Sequence, residues 1–168
     1  MKNTIPHKAV AFALAALATT AAAPAASAVD MPSVPHYNAA NPITNNHTVR
    51  TEAILHYTNA IRMANGLRPV AKNPALDGVA QDWANHLVRV GELNHRPKHW
   101  EAYPDFVPAG GENVLQAWDD YSSYELVKLW FDSPGHREIL LDPRAKSLGV
   151  GVAVGSDGKL FAVQNFGR

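Results

Sequence analysis

The feature that most constrains the fold is the segment Leu148–Val154, in which large apolar and small residues alternate. Successive side chains of a strand point to opposite faces of its sheet, so Val150 and Val152 share one face while Gly149 and Gly151 share the other. Glycines inside a strand mark places where another part of the chain approaches closely. The segment therefore predicts a sheet strand whose small-residue face is covered by a helix or by a catalytic loop.

Two further strands accompany this one. A hairpin turn at residues 156–158, read as Ser-Asp-Gly, leads into a returning strand over Leu160–Phe166. Upstream, two glycines precede a short strand that begins at Glu112 and Asn113.

Helical periodicity and capping residues predict three main helices before the paired strands. They are Val49–Asn65, a second helix that opens at Asn73 and Pro74 and ends at Gly91, and Ser123–Asp132 behind the capping box of Ser122 and Glu125.

Between the second helix and the first strand lies an irregular segment, Glu92–Gly111. Structureless loops of this length are usually functional or disordered, and the rings of Trp100, Tyr103 and Phe106 argue against disorder. We expect a lid or wall over a cleft. The rings either bind an apolar ligand or pack the loop onto the helices, and both interpretations remain open.

The stretch Ser133–Leu140 reads S-P-G-H-R-E-I-L. Pro134 disfavours the helical conformation at the residue before it, so the third helix is expected to stop at Ser133. His136 then lies at the mouth of a short helix, residues 137–141, as a ligand or reacting group or as a polar cap.

The N-terminal 28 residues have the features of a secretory signal peptide. Lys2 and Lys8 precede an alanine-rich apolar run, and residues 26–28, Ala-Ser-Ala, form a cleavage site. We expect secretion with cleavage after Ala28, an extended arm over residues 29–48, and one domain over residues 49–168.

Composition excludes several classes of function. The chain has no cysteine, so it has neither a thiol nucleophile nor a thiolate metal site, and we do not expect a lipoprotein because there is no cysteine to acylate. Loss of Lys2 and Lys8 from the 15 basic residues leaves 13 against 15 acidic ones, a net charge of about −2. That charge does not favour nucleic acid, and no apolar run is long enough to span a membrane. The oligomeric state is left open.

Three polar positions near glycines or loop boundaries, His95, Glu112 and His136, are candidates for one cleft. Imidazole and carboxylate ligands suit zinc or another divalent metal, and three protein ligands leave a coordination position for water. The same groups suit general acid–base catalysis. The spacing is not H-E-x-x-H, so both alternatives stay open.

The chain resembles the CAP superfamily (cysteine-rich secretory proteins, also called SCP or PR-1) in its compact bacterial secreted form. The resemblance runs from about Thr51 to the C-terminus. It rests on N-x-x-R-x-x-x-G-L at 59–67, L-x-x-x-A-x-x-W-A at 76–84, L-N-H at 93–95, G-E-N-V at 111–114, W-F-D-S-P-G-H-R-E-I-L at 130–140, G-V-G-V-A at 149–153 and V-Q-N-F-G at 163–167.

The resemblance implies an α+β fold, a three-layer α-β-α sandwich around a small antiparallel sheet. It also implies a cleft with His95, Glu112 and His136 as metal ligands or catalytic groups. Ser133 stands where the family has a second glutamate. The expected cleft-lining residues are Asn113, Ser133, Gln164 and Trp100.

Three functions follow as hypotheses. The first is a binding or cell-envelope module for a small apolar, lipid or wall-derived ligand, with or without a divalent metal. The second is a metal-assisted hydrolase or peptidase with Glu112 as general base. The third is a secreted interaction protein with a vestigial cleft.

Overall fold

A computed structural model of the chain describes Phe12–Leu14 and residues 47–168, with side chains from residue 49 onward. The helices of the described residues are α1 (His47–Ala64), α2 (Pro74–Val90), α3 (Ser123–Asp132) and α4 (Pro134–Leu140), with a single 3-10 turn at His99–Ala102. The strands are β1 (Phe12–Leu14), β2 (Ala71–Lys72), β3 (Ala109–Trp118), β4 (Ser147–Val154) and β5 (Lys159–Gly167).

The strands form one sheet in the order β1-β3-β5-β4-β2. The pairs β1/β3, β3/β5 and β4/β5 are antiparallel, and the two-residue strand β2 lies parallel to β4. In the register of β3 and β5, Glu112 is opposite Asn165 and Asn113 is opposite Gln164. This pairing determines which polar side chains share a face.

Helices cover both faces of the sheet. One core lies between the sheet and α1, α3 and α4, with Ile54, Trp130 and Leu115 buried in it. A second core lies between the other face and α2, with Leu87 and Val114 buried in it. The predicted α+β fold, a three-layer α-β-α sandwich, is therefore confirmed.

The small-residue face of β4 packs directly on α2, as its alternation predicts. A Cβ atom on Gly149 would lie 2.1 Å from the carbonyl carbon of Leu76, and one on Gly151 would lie 2.3 Å from that of Ala80. No side chain fits there, so these glycines set how closely α2 approaches the sheet.

The capping predictions are also confirmed. Asn73 accepts from two main-chain N–H groups at the start of α2, Ser122 and Glu125 form a capping box, and Gly91 ends α2 with φ 72°. The region around His136 differs from its prediction, because α4 begins at Pro134 and not at residue 137. His136 thus lies inside the helix and is completely buried.

The first strand comes from the segment predicted to be a signal peptide outside the fold. Residues 12–14 pair with residues 114–116 at the edge of β3. Cleavage after Ala28 remains a prediction, and the arm over residues 29–48 falls almost wholly outside the described residues. Within residues 47–168, no helix combines the length and apolar character that a membrane crossing requires.

Candidate functional site

A histidine and a glutamate meet where the segment after α2 reaches the start of β3. Nδ1 of His95 lies 2.9 Å from Oε1 of Glu112, and the same oxygen accepts the main-chain N–H of Arg96 at 3.0 Å. The side chain of Glu112 is fully buried, while that of His95 is 18% exposed. A buried carboxylate therefore holds a partly accessible imidazole by one ring nitrogen.

The second oxygen of this carboxylate, Oε2 of Glu112, is buried and finds no hydrogen-bond partner among the described residues. The neighbouring phenol of Tyr103 bonds the carbonyl of Gly111 at 3.0 Å. Burial raises the pKa of Tyr103 well above its usual value, and the charge of Glu112 raises it further. The phenol is thus a neutral donor beside the carboxylate.

The main chain of α4, which carries His136, packs against the face of β3 opposite to Glu112. A Cβ atom on Gly111 would contact the Ile139 side chain in α4, and the Asn113 amide donates to the main-chain carbonyl of His136 at 3.3 Å. Glu112, between them, points the other way, toward His95. The structure therefore brings His95 and Glu112 together, and the main chain of His136 packs against the other face of β3.

The face that holds His136 carries a buried chain of amides. The Asn113 amide donates to Gln164 at 3.1 Å, and Gln164 donates to the Thr58 hydroxyl at 2.8 Å. All three residues are completely buried. They link α1, β5, β3 and α4, which is a packing role on the helical side of the sheet.

The predicted set is thus divided between two faces. Asn113, Gln164, Ser133 and His136 lie on the side of α1 and α4, whereas Trp100 belongs to the loop on the side of His95. Within the part of the chain that the structure describes, no three His, Asp or Glu side chains are grouped so that they would hold a metal ion. The present arrangement does not fit the three-ligand site of His95, Glu112 and His136, so we derive no metal chemistry from it. The metal remains a prediction.

The loop aromatics differ in exposure. Tyr103 is 7% exposed and anchors the loop, whereas Trp100 is 56% and Phe106 78% exposed. His99 contacts both Trp100 and Tyr103, with ring centres 5.3 and 6.1 Å apart. Burial lowers the pKa of His99, the charge of Glu112 opposes this, and His95 lowers it further. His99 is therefore close enough to His95 and Glu112 for their charges to change its pKa.

Several residues of this face were not predicted. Asn165 is directly opposite Glu112, and its side-chain oxygen Oδ1 accepts from the Tyr103 hydroxyl at 3.3 Å. Because successive strand residues point to opposite faces, Asn165 and Gln164 must lie on different faces of the sheet. The sequence does not show which of the two shares the face of Glu112, because that depends on the pairing of β3 with β5. The contact of Arg96 with Glu112 uses a main-chain group and leaves no mark in the sequence.

Chemically, the pair resembles the arrangement in which a carboxylate orients a histidine. A carboxylate oxygen can only accept hydrogen bonds, so Nδ1 of His95 is assigned as the donor to Oε1 of Glu112, which fixes the tautomer of the ring. An imidazole held in this way can hydrogen-bond a ligand or take a proton from a bound group.

The chain matches the family model of the cysteine-rich secretory protein family, CAP, over residues 55–166. It is 25% identical over 122 residues to the uncharacterized protein YkwD of Bacillus subtilis, covering 68% of this chain and 46% of that protein. The chain thus spans about half the length of this curated relative.

Solved structures show the same fold. An extracellular protein containing an SCP domain from Bacillus anthracis has a TM-score of 0.57 at 26% identity, covering 76% of this chain and 44% of that one. An outer surface protein of Borrelia burgdorferi has a TM-score of 0.59 at 18% identity, covering 70% of this chain and 90% of that one. The family match extends over most of the described domain, and the chain belongs to the cysteine-rich secretory protein (CAP) family.

Proposed function

We propose that this CAP-domain protein is a secreted binding module whose ligand is a small molecule with an apolar or ring face, such as a cell-wall fragment or a lipid. The ligand site is the α2 side of the sheet, at the His95–Glu112 pair and the adjoining loop. The predicted signal peptide supports an extracellular location, and so do the extracellular and outer-surface relatives.

The observation that carries the proposal is the exposure of Trp100 and Phe106 on the loop that connects His95 to Glu112. The packing interpretation of the loop rings holds for Tyr103 alone, which leaves two large apolar side chains in solvent. Binding sites typically combine apolar and aromatic walls with a few polar groups that orient the ligand. Here the rings supply the apolar surface, and His95 supplies the polar contact.

Fluorescence titration of the purified protein tests the proposal. The probes are soluble disaccharide-peptide fragments of digested bacterial wall and, separately, a long-chain fatty acid. We expect saturable binding of one class, weakened about tenfold or more in Trp100→Ala, Phe106→Ala and His95→Ala. Met63→Ala is the matched control, since Met63 is also 56% exposed but lies on α1. Equal affinity of Trp100→Ala and Met63→Ala would overturn the loop as the binding surface.

A hydrolase remains a second candidate, because a carboxylate-oriented histidine is also an arrangement for general base catalysis. The geometry changes the roles expected from the sequence. Oε1 of Glu112 is engaged by His95 and Arg96, so His95 is the base and Glu112 orients it. Hydrolysis of a wall fragment that is lost in His95→Ala and Glu112→Gln but retained in His136→Ala would support this alternative.

A further inference from the structure

Arg96 and His95 are adjacent in the chain and meet the same carboxylate oxygen. The main-chain N–H of Arg96 donates to Oε1 of Glu112 at 3.0 Å, and Nδ1 of His95 lies 2.9 Å from that atom. Because the two residues are adjacent, the position of the Arg96 main chain fixes the backbone of His95 and therefore the point from which its side chain extends.

The side chain of Arg96 is anchored on α2. Its Nη2 donates to the carbonyl of Val79 at 3.2 Å and to Asp82 at 2.6 Å, and its Cζ lies 5.0 Å from the centre of the Trp83 ring. The Asp82 side chain is 67% exposed, so that ion pair contributes little. The contacts with Trp83 and Val79, which are less solvated, therefore supply most of the anchor.

Trp83 also bonds Asn94, the residue that precedes His95 in the chain. Its Nε1–H donates to the carbonyl of Asn94 at 3.1 Å, and the ring is almost fully buried. Residues 92 to 96 belong to no helix and no strand. The backbone on both sides of His95 is instead tied to α2, by the main-chain carbonyl of Asn94 and by the side chain of Arg96.

We infer that Arg96 is a positioning residue of the His95–Glu112 pair, acting through Trp83 to hold the imidazole in one orientation and one tautomer. The importance of the pair for binding rests on the proposed function, but the positioning itself does not. Loss of the arginine side chain releases the segment and lets the ring of His95 sample both tautomers.

The test uses Arg96→Ala and Arg96→Lys in the full protein, with Arg137→Ala as the matched control. Arg137 makes the same kind of contact elsewhere: its Cζ lies 4.9 Å from the Phe131 ring, and its Nε donates to the carbonyl of Phe131. The first readout is the pair of ring-nitrogen chemical shifts of His95 by NMR. The second is the dissociation constant for the wall-fragment probe.

In the wild type we expect the shifts of a single tautomer with the hydrogen on Nδ1. Arg96→Ala should move both shifts toward averaged values and weaken probe binding at least fivefold, and Arg96→Lys should lie between. Arg137→Ala should change neither readout. If Arg96→Ala fails to fold, Arg96→Lys decides alone, since it retains a cation and loses the planar guanidinium that contacts Trp83 and Val79.

Ring-nitrogen shifts in a folded Arg96→Ala or Arg96→Lys variant that match those of Arg137→Ala would overturn the inference. They would leave Arg96 a stabilising residue only. A wild type that binds no probe would count against the proposed function, while the ring-nitrogen result would still decide the role of Arg96.

Discussion

The hydroxyl oxygen of Ser133 lies 2.8 Å from Nδ1 of His136, within one helical turn. Ser133 ends α3 and begins α4, yet its side chain caps no main-chain N–H and bonds the imidazole instead. The family resemblance assigns a glutamate to this position. A hydroxyl can orient the ring as a glutamate would, but it brings no negative charge, and His136 is completely buried on the packed side of the sheet.

We therefore expect Ser133→Ala to reduce stability and to leave ligand binding unchanged. The variant deprives a buried imidazole of a hydrogen bond, which costs about 1–2 kcal/mol of the free energy of unfolding. Urea denaturation measures this, and Ser133→Thr, which retains the hydroxyl, should lose less. Normal stability with lost probe binding would instead place His136 in the ligand site.

Arg62 ties α1 to the segment that connects α4 with β4. Although completely buried, its guanidinium donates to four main-chain carbonyls, those of Arg68, Leu140, Asp142 and Ala145. Burial lowers the pKa of Arg62 and the charge of Asp142 opposes this, but an arginine remains charged in any folded protein. Arg62→Met should therefore lower the free energy of unfolding by about 3 kcal/mol, since it orphans these carbonyls.

The control for that measurement is Arg68→Ala. Arg68 is exposed and contributes only its main-chain carbonyl to the network, so we expect a change within about 0.5 kcal/mol. Similar losses in the two variants by chemical denaturation would contradict the assignment.

Side chains of α2 cover the outer edge of β4 where β2 ends. Oδ1 of Asp77 accepts the N–H of Val150 at 2.8 Å, and Gln81 bonds both the N–H and the carbonyl of Val152, at 3.1 and 2.8 Å. An uncovered strand edge pairs readily with other chains. We expect the double variant Asp77→Ala, Gln81→Ala to self-associate, as measured by analytical ultracentrifugation.

Asp77→Asn is the matched variant for the edge, because it removes the charge and retains the oxygen that accepts from Val150. It should stay in the same association state as the wild type. Self-association of Asp77→Asn to the extent of the double variant would show that charge repulsion, and not hydrogen bonding, protects the edge.

Much of the fold could be predicted because its determinants are local. The caps at Asn73 and Ser122 and the end of α2 at Gly91 depend on short-range hydrogen bonds and backbone angles. The alternation of Gly149 and Gly151 with valines likewise predicted a close neighbour, which is α2. Each of these signals is carried by a few adjacent residues and can be recognised without knowing the rest of the structure.

The site was only partly predictable, because its geometry depends on the face to which each strand residue points. Motifs placed Glu112 and Asn113 side by side in the sequence, but the pleat sends them to opposite layers. One joins His95 and the other joins His136. Main-chain acceptors are also invisible in the sequence: the guanidinium of Arg137 donates to the carbonyls of Phe131 and Asp132.

The pH dependence of stability should reflect His99. Its pKa is lowered in the folded state, so the unfolded chain binds a proton more readily than the folded one. The stability that depends on neutral His99 is therefore fully present above the ordinary histidine pKa of 6.5. It is lost as the pH falls from there through the lower pKa that His99 has in the folded protein. Urea unfolding between pH 7.5 and 5.0 should show this loss. His99→Gln should reduce it, and an unchanged slope would contradict the assignment.

Zinc titration decides whether the three residues first expected to bind metal ever act together. Among residues 47–168 no three His, Asp or Glu side chains are grouped to hold a metal ion, so we expect no saturable one-to-one binding that requires all three. Calorimetry on the wild type, His95→Ala and His136→Ala measures this directly. Weak binding that only His95→Ala removes would agree with the separated geometry, since His95 is the more accessible of the two histidines. Stoichiometric binding abolished by either substitution would mean that the chain rearranges to join the two faces, and metal-assisted hydrolysis would then become the leading function.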